Sequence, residues 1–170
     1  MNRHFVRLTL AALLLSLLGA LPATAAKGIW TAVASTGVVD ESAAGFYSFG
    51  STNLGYTPGT TIVSPIVARY DVTKTWFAGD MAPWTTLELG YFNNSVMSSV
   101  QATLFQVDRC TGVQAVVCTV TSNVSTTSTC GTCNFAAGTV NFATNLYYVQ
   151  VTLSRATNTV VPQALTLRIF

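Results

Sequence analysis

Tyr148-Val149-Gln150-Val151-Thr152-Leu153-Ser154 decides the fold class. Successive side chains of an extended strand point to opposite faces, so Val149, Val151 and Leu153 share one side while Gln150, Thr152 and Ser154 share the other. One face is buried and one is wet, as in an antiparallel sheet laid on a core. Thr103-Leu104-Phe105-Gln106-Val107 and Leu165-Thr166-Leu167-Arg168-Ile169 repeat the alternation.

Outward from these segments, further strands are expected at 29–35, 45–49, 61–72, 85–92, 114–122 and 134–142. The punctuation between them is turn chemistry. Thr57-Pro58-Gly59 combines the fixed φ of proline with the freedom of glycine, and Asn93-Asn94-Ser95, Thr111-Gly112 and Asn145 do similar work. Pro65, inside the third of these strands, marks an edge or a bulge because it cannot donate to a ladder. No repeat, charge block or helical periodicity follows residue 26. About nine short strands with regular turns predict an all-β, two-layer antiparallel β-sandwich with Greek-key or jelly-roll connections. A small outer-membrane barrel is disfavoured, because Phe170 is out of phase with the apolar set Leu165, Leu167 and Ile169.

Residues 1–25 read as a secretory signal peptide. Arg3, His4 and Arg7 precede an apolar run from Leu8 to Leu21, and Ala23-Thr24-Ala25-Ala26 supplies the small residues that suit cleavage after Ala25 or Ala26. The run is short of the ~20 apolar residues a membrane span needs. The remainder, 26–170, is expected to be one domain, secreted to the periplasm or the cell exterior.

Of eight basic residues, Arg3 and Arg7 lie in the leader, so six remain against six acids. A basic stripe that could follow a phosphate backbone is missing, which excludes nucleic acid as a natural partner. The only histidine, His4, leaves with the leader. With it go Ser-His-Asp and Cys-His relays, imidazole metal ligands and the side chain best suited to proton transfer near neutrality. No glycine-rich phosphate loop appears, and no cofactor or metal is expected. Asp40, Glu41, Asp71 and Asp108 read as turn and cap residues rather than calcium ligands. Arg69 and Arg155 read as solvated strand positions.

Cys110, Cys118, Cys130 and Cys133 lie in the exported part, where disulfides are the default. The expected pairs are Cys110 with Cys118, bracketing Thr111-Gly112, and Cys130 with Cys133. A turn centred on Thr111-Gly112 would, however, set Cys118 opposite Phe105. Cys130-Gly131-Thr132-Cys133 has the spacing of a thiol-disulfide exchange site but lacks the helix N-terminus that such sites use to stabilise a thiolate.

Three functional classes remain. The first is a non-catalytic structural or interaction protein, self-associating or bound to a protein or glycan partner, suited by low charge and a hydroxyl-rich surface. The second is a carbohydrate-binding module using Trp76, Trp84 and Tyr91 as stacking platforms beside Asp80, although a tryptophan at a strand boundary more often plugs the end of a sandwich, and core packing is the favoured reading of Trp76 and Trp84. The third is a hydrolase with Asp80 and Glu88 as a carboxylate pair. Glu88 alternates with Leu87 and Leu89 and reads as a solvent-facing strand residue, so no enzyme is expected.

Overall fold

The computed structural model describes residues 28–75 and 79–170; the expected signal peptide and Trp76 lie outside the described residues. Among the described residues, eleven strands form two antiparallel sheets. The six-stranded sheet contains β1 (Trp30–Val33), β3 (Tyr47–Phe49), β4 (Leu54–Tyr56), β6 (Thr86–Asn93), β9 (Ser125–Asn134) and β11 (Gln163–Ile169). Its order is β3-β4-β11-β6-β9, with β1 also pairing β11. The five-stranded sheet contains β2 (Val38–Val39), β5 (Ile66–Val72), β7 (Ser98–Asp108), β8 (Gln114–Thr121) and β10 (Asn145–Arg155), in the order β2-β5-β10-β7-β8. From β5 onward the chain crosses repeatedly between layers, and only β7 and β8 follow each other within one sheet.

The alternation of 148–154 extends along the whole of β10, whose odd-numbered residues from Tyr147 to Arg155 are buried. Val149, Val151 and Leu153 meet Ile66, Ala68, Val100, Ala102 and Leu104 from the same sheet, and Leu87, Leu89, Leu167 and Ile169 from the other, in one core. Removing these side chains from water is the main drive for closing the two layers.

Four expectations need correction. The strand at 61–72 begins only at Ile66; Pro65 stands one residue before it, where a missing N–H costs no ladder bond. The strand expected at 134–142 is a turn region whose single bridge joins Met81 to Asn141, and Asn134 instead ends β9. The other two concern the cysteines and Arg155.

Cys118 pairs with Cys133, not with Cys110, and Cys130 is free. The reason is the strand itself. Residues three apart on β9 are separated by about 10 Å and point to opposite faces, so Cys130 cannot reach Cys133. Cys118 opposes Leu104 and turns inward, where Cys133 meets it with a Cα–Cα distance of 6.1 Å. The bond joins β8 to β9, the end strands of the two sheets, and so closes one flank of the sandwich.

Arg155 is buried, not solvated. Its guanidinium donates to the carbonyls of Thr60, Ile62, Asn158 and Val160 and lies 3.9 Å over the Tyr56 ring. It occupies the last inward position of β10, where the apolar alternation runs out into two loops, and it satisfies their inward-facing carbonyls.

Candidate functional site

Two of the rings expected to carry ligand binding belong to the core. Trp84 is fully buried, packs edge-on against Phe142 and donates its indole N–H to the Gly28 carbonyl. Tyr91 is buried on β6 and its hydroxyl accepts from the Asn123 backbone N–H. Neither ring is presented to a sugar, because each fills space between the layers. Asp80 is exposed and pairs with Lys74 at 3.1 Å, while Glu88 pairs with Arg168 at 3.1 Å on the six-stranded sheet. Each carboxylate of the expected pair is thus engaged with its own cation.

The outer faces of the two sheets differ. On the six-stranded sheet, register rows run Thr31, Arg168, Glu88, Thr132 and then Val33, Thr166, Gly90, Cys130. Its ionised groups neutralise each other, and Thr86 donates to Asn134. Cys130 is exposed here; partial burial, with Glu88 nearby, holds its thiol above the usual range and away from reactive thiolate chemistry.

The five-stranded sheet presents Asp71, Tyr148, Phe105 and Val116 in one row across β5, β10, β7 and β8. The next row reads Arg69, Gln150, Thr103, Thr119, and the next Val67, Thr152, Gln101, Thr121. Tyr148 and Phe105 stack with centroids 5.0 Å apart and planes 15° from parallel. A cross-strand aromatic pair of this kind stabilises the sheet while keeping apolar ring surface on the wet side. The Tyr148 hydroxyl donates to Gln114 Oε1 at 2.9 Å, which holds the ring in place.

Around the pair, some polar groups are tied down and others are open. Gln101 Nε2 donates to Thr121, and Thr103 shares a hydrogen bond with Thr119. Among the described residues, the side chains of Arg69, Asp71 and Gln150 have no hydrogen-bonded protein partner. Beside them, where β5 runs on past the short strand β2, lies a cleft of about 520 Å³ lined by Thr36, Val38, Arg69 and Asp71 with Trp30 and Tyr70 at its base. Tyr70 donates to the Ala34 carbonyl at 2.7 Å, and burial raises its phenol well above the usual range. Asp40 is a cap: hydrogen bonds from Ser42 hold its carboxyl low, with a smaller contribution from Arg69.

Sequence reading missed this face. Phe105 and Tyr148 appear in strands already recognised, and the signal available was their phase. Both fall on the polar side of their alternation, where a large ring is out of place unless something covers or uses it. No group of three metal-ligating side chains occurs among the described residues. No helix among them is long and apolar enough to cross a membrane.

No family model and no curated protein matches the chain. Solved structures with a similar backbone include the xylan-binding module CBM15, at 11% identity over 84% of this chain and 95% of that one, with a TM-score of 0.49. Another is the carbohydrate-binding module CBM36 in complex with calcium and xylotriose, at 14% identity over 83% and 99%, with a TM-score of 0.48. A cleaved adhesin domain of Lys-gingipain from Porphyromonas gingivalis aligns at 8% identity over 84% and 98%, with a TM-score of 0.47. At such identities the likeness concerns the fold alone.

Proposed function

We propose that the protein is an exported, non-catalytic carbohydrate-binding module whose site is the outer face of the five-stranded sheet. The observation that supports this most is the stacked Tyr148–Phe105 pair, standing on a wet sheet face beside the open hydrogen-bonding groups of Asp71, Arg69 and Gln150. A sugar has an apolar C–H face and a rim of hydroxyls that both donate and accept. Ring surface suits the first, and a carboxylate, a guanidinium and an amide in neighbouring register positions suit the second. One positive and one negative charge side by side favour a neutral ligand over a polyanion.

The reading as a subunit packed through this face fits less well. Interface centres are depleted in charge, whereas Arg69 and Asp71 sit beside the aromatic pair. A glycan with bridging water leaves such groups solvated.

The test is affinity electrophoresis and calorimetry against a panel of soluble polysaccharides. Tyr148→Ala and Phe105→Ala are each expected to weaken binding about tenfold, on the order of 1.4 kcal/mol, with native circular dichroism retained. Wild-type affinity in both variants, or no retention of the folded protein on any polysaccharide, overturns the proposal.

A further inference from the structure

The polar groups of the five-stranded face are satisfied on one side and open on the other. Toward β8, Gln101 is tied to Thr121, Thr103 to Thr119, and Tyr148 to Gln114. The open groups, Gln150, Arg69 and Asp71, stand toward β5. The aromatic pair points the same way. Rings side by side in one plane could not bring their centroids to 5.0 Å, so with planes 15° apart Phe105 and Tyr148 each cover one face of the other. The Tyr148 hydroxyl reaches Gln114 on β8, two strands away, which draws the ring over Phe105. The face of Tyr148 turned away from Phe105 is the one left for a ligand.

At its open end this surface drops into the cleft of about 520 Å³. Arg69 and Asp71 belong to both, since they end the register rows and also line the cleft. The main chain contributes as well. In an antiparallel ladder alternate residues turn both backbone groups to the same edge, and the bond from the Asp40 N–H to the Val67 carbonyl fixes 67, 69 and 71 as the residues that face β2. β2 stops at Val38, opposite Arg69. Thr36, which a longer strand would set opposite Asp71, belongs to a 3-10 turn instead. The N–H and carbonyl of Asp71 therefore open into the cleft beside its carboxylate. Buried Trp30 and Tyr70 close the base.

A polymer laid across a flat sheet runs off both ends, whereas a chain that enters this cleft stops on the two rings at its base. We propose that the face takes the terminal sugars of a neutral glycan, one ring on Tyr148 and the last residue in the cleft, and does not bind along the interior of the polymer. This rests on the sheet-face reading and adds to it a direction and an end. A terminal residue carries one free hydroxyl that an internal residue uses in its linkage. Asp71 supplies acceptors and an N–H, and Arg69 supplies further donors, so a group that both donates and accepts is met on each count. An enclosed site built to bond a hydroxyl discriminates strongly against a ligand that lacks it. Strands are spaced about 4.8 Å apart, so the path from Tyr148 on β10 across β5 to the cleft is on the order of 10 Å, a short run of linked sugars.

The probes are linear polysaccharides, namely mixed-linkage β-glucan, linear xylan and linear mannan, each intact and cut to short oligosaccharides. Calorimetry reads affinity and the number of protein molecules bound per chain. One protein per chain is expected at every chain length, with equal affinity per mole of chain for the oligosaccharide and the intact polymer. Val38 is 77% exposed and opposite Arg69, so Val38→Glu should fold normally, pair with Arg69 across the mouth of the cleft and weaken oligosaccharide binding about tenfold. Binding that Tyr148→Ala weakens, but in which many copies load onto one polymer chain or Val38→Glu keeps wild-type affinity, overturns end recognition and leaves the sheet-face reading standing. Failure of the folded wild type to bind any of these probes overturns both.

Discussion

Arg155→Met is the substitution whose consequence the structure defines most fully. The guanidinium makes hydrogen bonds at 3.1 and 2.6 Å to the Ile62 carbonyl and at 2.9 Å to that of Thr60. It also reaches Asn158 at 3.3 Å and Val160 at 3.2 Å. Those acceptors belong to two loops, 57–65 and 156–162, that share no strand pairing with each other. Methionine fills much of the volume but donates nothing, so four carbonyls lose a charged donor together. Hydrogen bonds to a charged group contribute about 1.5–3 kcal/mol each, but loops near the surface regain part of this from water. A net loss of about 4 kcal/mol follows, inside the range for removing a buried charged partner. For a domain of this size that lowers the melting temperature by on the order of 10 °C. Arg155→Lys keeps the charge and up to three donors and should recover about half. The assay is urea and thermal unfolding followed by circular dichroism, with limited proteolysis reporting on the two loops. A melting temperature for Arg155→Met within about 3 °C of wild type, with the loops still protected, refutes the reasoning.

Two further predictions concern other parts of the frame. Replacing both Cys118 and Cys133 by alanine opens the flank between β8 and β9, and for a separation of 15 residues the expected loss is about 3 kcal/mol in chemical unfolding. Tyr70 is neutral in the fold and its phenol is raised by burial, so the folded state holds a proton that the unfolded chain releases. The stability this contributes is complete below pH about 10 and is lost as pH rises further, so wild type should lose more stability between pH 9 and 11 than Tyr70→Phe does.

Much of the fold was legible because burial writes itself into alternation. The segments 103–107, 148–154 and 165–169 all lie in long strands that cross the core. β9 was invisible for a physical reason. Its burial does alternate, with Thr129, Gly131 and Cys133 less exposed than their neighbours, but those side chains are small or polar. A Cβ at Gly131 would stand 2.9 Å from Val120, so the layers approach too closely there for the valine or leucine that announces a strand. Missing β9 also misplaced the cysteines, since only a strand sets Cys130 and Cys133 on opposite faces. Arg155 escaped because an alternating arginine looks the same from sequence whether its end of the strand is open or roofed by loops. Loop position left the tryptophans open to core packing or to ring stacking, with core packing favoured, and Trp84 does fill the core; Tyr91, expected as a stacking platform, fills it too.

What separates the two sheet faces is not their composition but how far their polar groups are already satisfied. Both carry hydroxyls, a carboxylate and a guanidinium. On the six-stranded sheet Glu88 and Arg168 face each other directly across β6 and β11, so each meets its complement before any ligand arrives. On the five-stranded sheet Arg69 and Asp71 are two apart on the same strand and point the same way, while their register neighbours on β10 are Gln150 and Tyr148. A cation opposite an amide and an anion opposite a ring stay in contact with water, and water that bridges such groups to a polar ligand is nearly as favourable as a direct hydrogen bond. Exchanging Gln150 for glutamate would give Arg69 an internal partner opposite it, and with it the closed character of the other face.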